Sequence, residues 1–175
     1  MSKKILFIAS YSRSLINFRK DLILEFKKNG YQIIAFAPDN ERETIHELKK
    51  MDVKYFKIPL ERRGFNPFKD LHTLIHLIYR IKEESPDIVL SYTIKPIIYG
   101  SIASSITKRK KIFSIITGIG YGLYNDTFKQ KILGMITKIL YKVALRNNSK
   151  VFFQNPDDLN YFKEKNLIQT KTAII

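Results

Sequence analysis

The chain has 175 residues, 45% hydrophobic and 13% aromatic, which is enough to bury one core and short for two domains. It has no cysteine, so disulfides, thiolate catalysis and Cys-based metal centres are excluded, and no apolar run approaches the roughly 20 residues that span a bilayer. With 31 Lys and Arg against 16 Asp and Glu the formal charge is +15, so negative partners are expected: phosphates, nucleic acid or an anionic leaflet. A Lys-, Ile- and Asn-rich coding bias can carry part of that charge without any function.

Met1-Ser2-Lys3-Lys4 runs directly into a strand-like segment with no signal-peptide shape, so a cytoplasmic protein is expected. In chain order, strands are predicted at Lys4–Ser10, Gln32–Ala37, Tyr55–Pro59, Ile88–Ser91, Lys111–Ile116, Val151–Gln154 and Thr172–Ile175. Most are continuous apolar runs rather than alternating ones, the pattern of parallel strands covered on both faces. Between them, apolar residues recur at helical spacing. Leu15, Phe18, Leu22 and Phe26 precede an Asn29-Gly30 stop, and Leu71, Leu74, Ile75, Ile78 and Ile81 precede Ser85-Pro86. The alternation specifies an α/β fold, a Rossmann-like three-layer sandwich with a mainly parallel sheet of about seven strands and ligands at the carboxyl ends of the strands. Residues 1–175 are expected to form one such domain. Because the closing TKTAII reads as a buried strand, the chain is expected to be part of a longer protein.

The loops after the strands are therefore the candidate sites. After the first strand, Ser10 to Ser14 lead into a helix carrying Asn17 and Arg19; Ser12 and Arg13 sit at its amino terminus, where free N–H groups suit a phosphate or a hydroxyl. Ser12 or Ser14 alternatively caps that helix. The loop has no glycine, so the G-x-G-x-x-G fingerprint of dinucleotide binding is missing. Arg62 and Arg63 follow the third strand, either as a phosphate contact or as a solvated turn. Tyr92, Thr93 and Lys95 follow the fourth, with Lys95 the stronger candidate for an anion. After the fifth come Thr117, Gly118, Gly120 and Tyr121, in a segment where three of seven glycines fall within five residues and tyrosines offer stacking surfaces for sugars. Asn155, ahead of Pro156-Asp157-Asp158, reads as a helix cap and closes the set.

From Phe128 to Arg146 an apolar stripe (Ile132, Met135, Ile136, Ile139, Leu140, Val143) is accompanied only by basic charges, Lys131, Lys138, Lys142 and Arg146. Stripe and cations are expected on different faces, one on the sheet and one toward an anionic membrane surface, with Lys108-Arg109-Lys110-Lys111 adding to the same attraction. Histidines 46, 72 and 76 fall within helices, and their reading is as helix surface. No D-x-D, P-loop or G-x-S-x-G is present, so no metal and no catalytic set is assigned.

Asn17-Phe18-Arg19, Ser91-Tyr92-Thr93-Ile94-Lys95-Pro96 with Tyr99-Gly100, Thr117-Gly118-Ile119-Gly120-Tyr121 and Phe152-Phe153-Gln154-Asn155 together resemble the amino-terminal domain of retaining family 4 glycosyltransferases. The resemblance spans essentially the whole chain. It is strongest to enzymes that extend undecaprenyl-diphosphate-linked glycans for capsule, O-antigen or N-glycan precursors, N-acetylgalactosaminyl transferases among them. It implies a GT-B enzyme whose carboxyl-terminal, donor-binding domain is not part of these residues. It also implies transfer from a nucleotide-sugar, a UDP-sugar, to a lipid-linked glycan on the inner face of the plasma membrane; the missing D-x-D and the excess of Lys and Arg lead to the expectation that no metal or other cofactor takes part. Thr117, Gly118 and Gly120 then fall on the site loop, Lys95 on the acceptor side and Arg19 near the first loop. Thr117 stands where many members have histidine, so no base is assigned, and the fragment alone is expected to be inactive. Two other readings stay open: a non-catalytic acceptor- or membrane-recruiting subunit, and a basic nucleic-acid-binding domain. The second lacks any RNP, KH or zinc-finger signature, so nucleic acid is not an expected partner.

Overall fold

A computed structural model describes residues 2–62, 64–119, 128–169 and 173–174. Seven strands and six helices alternate among them: β1 (Lys4–Ile8), α1 (Arg13–Lys28), β2 (Gln32–Ala37), α2 (Arg42–Lys50), β3 (Val53–Lys57), α3 (Pro67–Glu84), β4 (Ile88–Tyr92), α4 (Ile94–Ile106), β5 (Lys111–Ile116), α5 (Phe128–Leu145), β6 (Lys150–Phe153), α6 (Pro156–Glu164) and β7 (Ala173–Ile174). The strands form one sheet in the order β3-β2-β1-β4-β5-β6-β7, every neighbouring pair parallel. The expected Rossmann-like α/β sandwich is thus the observed fold.

The pleat decides which helix covers which side of the sheet. On β1, Ile5 and Phe7 join Leu15, Ile23 and Leu48 in the core under α1 and α2. Leu6 and Ile8 point the other way, into a core with Leu77, Ile81, Ile97, Tyr141 and Phe162 from α3 to α6. Strands buried on both faces cannot alternate, which is why their sequences read as continuous apolar runs.

Chain order along the sheet reverses between β1 and β4, so the loops leaving these two strands part in opposite directions and open a crevice at their carboxyl ends. Helix α4 starts in that crevice, and eight of its residues are buried because α3 and α5 pack on its flanks while the sheet lies beneath. Its contact with the sheet requires Gly100: a Cβ there would come within 2.6 Å of Ser91 Oγ and 2.9 Å of Ile8 Cδ1. Helices α3 and α6 start alike, each with a proline in the first turn behind an asparagine cap. Asn66 accepts from the N–H groups of Phe68 and Lys69, and Asn155 from that of Asp158.

Several expectations are corrected. The third strand begins at Val53 and ends at Lys57; Pro59, without an N–H, cannot extend a ladder. Phe18 on α1 and Leu71 and Ile75 on α3 face solvent, although their spacing fits the apolar stripes. On α5 the stripe residues Ile132, Met135, Ile139 and Val143 are exposed, as are Lys131 and Lys142, and Ile136 and Leu140 are half-buried, while the residues buried in the core, Tyr141, Ala144 and Leu145, lie outside the stripe. Stripe and cations therefore share a face. The Lys108–Lys111 cluster leads into the first residue of β5, at the sheet end opposite the crevice, and Arg109 there donates to Ser85 Oγ and the Pro86 carbonyl, tying α4 to the α3–β4 connection.

Candidate functional site

The crevice is a cleft of about 880 Å³ lined by the segments following β1, β3, β4 and β5, by α1 and α5, and by Gln154 after β6. Seven of the sequence candidates line it: Arg19, Arg62, Tyr92, Thr93, Lys95, Thr117 and Gly118. Lys95 and Thr117 belong to the same rim, as a parallel sheet requires. Apolar side chains fill the gaps between the polar ones, with Phe18, Phe65, Ile94, Ile98, Leu133 and Leu140 in the wall.

Tyr92, the last residue of β4, is the organising side chain. Ser14 donates its hydroxyl proton to the Tyr11 carbonyl at 2.7 Å, so the 2.8 Å contact between Tyr92 and Ser14 is donated by the phenol. Burial pushes the Tyr92 hydroxyl well above its ordinary range, and it stays protonated as a fixed donor. The Arg19 guanidinium lies over the Tyr92 ring, 4.8 Å from its centroid, and Arg62 lies over Tyr11 at 4.4 Å. Neither arginine has a carboxylate partner among the described residues.

Lys95 differs. Its ammonium donates to Asp70 Oδ1 at 2.6 Å, inside a wall where the two side chains are 12% and 5% exposed. Asp70 also takes the Asn66 N–H, and burial first, with the charge of this carboxylate, pushes the Tyr99 hydroxyl up. Lys95 therefore lines the cleft as half of a neutral pair joining α3 to α4. Sequence alone could not expose this, since its partner lies 25 positions away on another helix.

Backbone conformation singles out two further positions. Thr93 sits at φ +68°, ψ +161°, a region that costs a β-branched residue about 1–3 kcal/mol, and its Oγ1 is buried without a partner. Gly118 adopts φ +140° with open space where a side chain would stand, so the loop after β5 presents bare backbone to the cleft.

The remaining candidates lie elsewhere. Ser12 is fully buried at the α1 cap position, giving its N–H (2.9 Å) and its hydroxyl to the Asp39 carboxylate, which joins the loops after β1 and β2. Arg13 pairs on the surface with Glu41. Asn155 caps α6. Arg63, Gly120 and Tyr121 lie outside the described residues. Tyr11, Phe18 and Asp70 were not singled out as site residues; the pair spacing Tyr11–Ser14 is the signal that would have marked the first.

Comparison with known proteins places this geometry. Residues 4–155 match the family described as Glycosyl transferase 4-like. A curated relative from Campylobacter jejuni, named N,N'-diacetylbacillosaminyl-diphospho-undecaprenol alpha-1,3-N-acetylgalactosaminyltransferase, is 22% identical over 172 residues, 98% of this chain and 45% of that protein. A crystal structure of a glycosyltransferase from Rickettsia africae superposes with a TM-score of 0.68 at 19% identity, covering 99% of this chain and 42% of the other. A UDP-GlcNAc 2-epimerase from Neisseria meningitidis, bound to UDP-GlcNAc, superposes with a TM-score of 0.62 at 18% identity, covering 98% and 46%. The chain thus spans less than half the length of the proteins it matches.

Proposed function

Since the chain belongs to the Glycosyl transferase 4-like family, we propose that it is the acceptor-side half of a retaining GT-B glycosyltransferase. The substrates in this reading are a UDP-sugar donor and an undecaprenyl-diphosphate-linked glycan acceptor. The observation that carries it is the cleft at the switch point of the sheet, where cationic, hydroxylic and apolar groups converge beside an exposed glycine backbone. The fold alone does not choose between transfer and epimerisation, because both relatives share it; the family match favours transfer.

In this reading the wall formed by Arg19, Arg62 and Thr93 receives charge, the Tyr92 phenol stays a donor, and Gly118 lets a sugar approach the backbone. The leaving diphosphate is stabilised by guanidinium groups and helix dipoles without a metal. The test is sugar transfer by the complete gene product from UDP-sugars to a polyprenyl-diphosphate-linked glycan, with EDTA present. Turnover is expected to survive chelation. Loss of turnover that a divalent cation restores would refute the metal-independent mechanism, and absence of transfer with every donor would refute the reading itself.

The same reading includes peripheral attachment to the inner leaflet. No helix among the described residues is long and apolar enough to cross a membrane. Helix α5 carries no acidic residue, and its outward Phe128, Ile132, Met135, Ile139 and Val143 are 41–79% exposed. Across α4, helix α3 presents Phe68, Leu71, Ile75 and Tyr79, 54–86% exposed. Apolar rows with lysines beside them suit an anionic interface, where each cation contributes about 1 kcal/mol. Sedimentation with phosphatidylglycerol-containing vesicles is expected, and equal binding to pure phosphatidylcholine vesicles at low salt would discard the electrostatic part.

A further inference from the structure

We infer that Arg19 and Arg62, each laid on a tyrosine at the wall of the cleft, are its diphosphate-binding element, and that Lys95 is not. Charge accounting is the first support. Seven ion pairs occur among the described residues, and they absorb Arg13, Lys69 and Lys95 but neither of these arginines. The cleft's uncompensated positive charge is therefore held by two guanidinium groups, while the lysine nearest the start of α4 already has its anion.

Geometry is the second support. A guanidinium stacked on an aromatic face keeps its edge of N–H donors free, the edge that matches phosphate oxygens in pairs. Arg19 spends one terminal nitrogen on the Phe18 carbonyl at 2.7 Å, while its Nε is buried and bonds to nothing. A buried N–H without an acceptor costs about 1–3 kcal/mol, so this atom waits for an incoming oxygen. Thr93 Oγ1, next in sequence to the tyrosine beneath Arg19, is in the same condition at a strained backbone position. The two stacks are neighbours, since Ser14 bonds both the Tyr11 carbonyl and the Tyr92 hydroxyl and all four side chains line the one cleft. Two forks and a hydroxyl in one wall fit a ligand with two linked anionic centres better than a single carboxylate.

A diphosphate can arrive on a nucleotide or on a prenyl chain, and only this choice of source rests on the glycosyltransferase reading. The experiment is calorimetric titration of the 175-residue chain with inorganic pyrophosphate, UDP and farnesyl diphosphate, with thermal unfolding run on every variant. Wild type is expected to bind pyrophosphate, and Arg62→Gln and Arg19→Lys each to weaken it at least about tenfold. The second variant keeps the charge and removes the fork. Lys20→Gln, which removes an equal charge from the exposed Lys20–Glu47 pair on the same helix, is expected to bind as wild type. A matching loss for UDP assigns the site to the donor, and a matching loss for farnesyl diphosphate assigns it to the acceptor. Failure of wild type to bind pyrophosphate, or undiminished binding by folded Arg62→Gln and Arg19→Lys, overturns the inference. Sugar transfer by the complete gene product that persists with those same substitutions would leave the glycosyltransferase reading standing while this one falls.

Discussion

Replacing Asp70 with asparagine tests how the wall of the cleft is held. The amide keeps the size of the side chain and an oxygen for the Asn66 N–H, so the change isolates one charge. What remains is the Lys95 ammonium in a wall where its side chain is 12% exposed, facing a group that no longer neutralises it. Breaking a buried pair by removing one partner costs about 3–5 kcal/mol, and the residual access of water to Lys95 places this pair at about 3. For a chain of this length each kcal/mol moves the melting temperature by about 2–4 °C, so Asp70→Asn is expected to melt about 6–12 °C lower. Lys95→Met should cost a similar amount by stranding the carboxylate, and the double variant should lose clearly less than the sum. Circular dichroism melts of the four proteins close the cycle. If Asp70→Asn stays within about 0.5 kcal/mol of wild type, or the two changes simply add, the pair does not hold α3 to α4 and Lys95 returns as a free cation.

Two other outcomes follow from the packing and burial of α3 and α4. Gly100→Ala is expected to destabilise the chain by about 1–2 kcal/mol, the overpacking of Ser91 and Ile8 outweighing the gain in helix propensity; Ser91→Ala, which removes the nearer atom, should recover part of it, and a Gly100→Ala protein that melts higher than wild type would refute the close approach. His76 has its pKa lowered from 6.5 by burial first and then by Arg80 and His72. The unfolded chain takes up that proton more readily, so stability is unaffected above 6.5 and falls as pH drops below it. Urea midpoints at about pH 5 and about pH 7.5 should therefore converge in His76→Gln, and an unchanged gap would exclude this residue as the cause.

Parallel topology was legible because strands covered on both faces announce themselves as unbroken apolar runs, and the Asn155-Pro156 start of α6 read directly as a cap. Helix α2 was legible only as a helix around His46, without bounds, since it is short and only Thr44 and Leu48 of its nine residues are buried. The outward rows on α3 and α5 were misassigned for the opposite reason: apolar spacing records that a face is apolar and says nothing of what covers it. Within the site, the strand-end loops identified where to look, but charge pairing is a property of three dimensions. Lys95 and Arg19 look alike as cations in the chain, and only the approach of Asp70 to one of them separates a structural tie from an available charge.

Helix α4 has almost no free side on which to slide. Its first turn forms part of the cleft, and its two flanks space the apolar ridges of α3 and α5. It acts as a keystone: whatever presses on Thr93 presses on the rod that sets the distance between those ridges. The interior of the cleft and the outer contour of the protein are thereby geared together by a single helix.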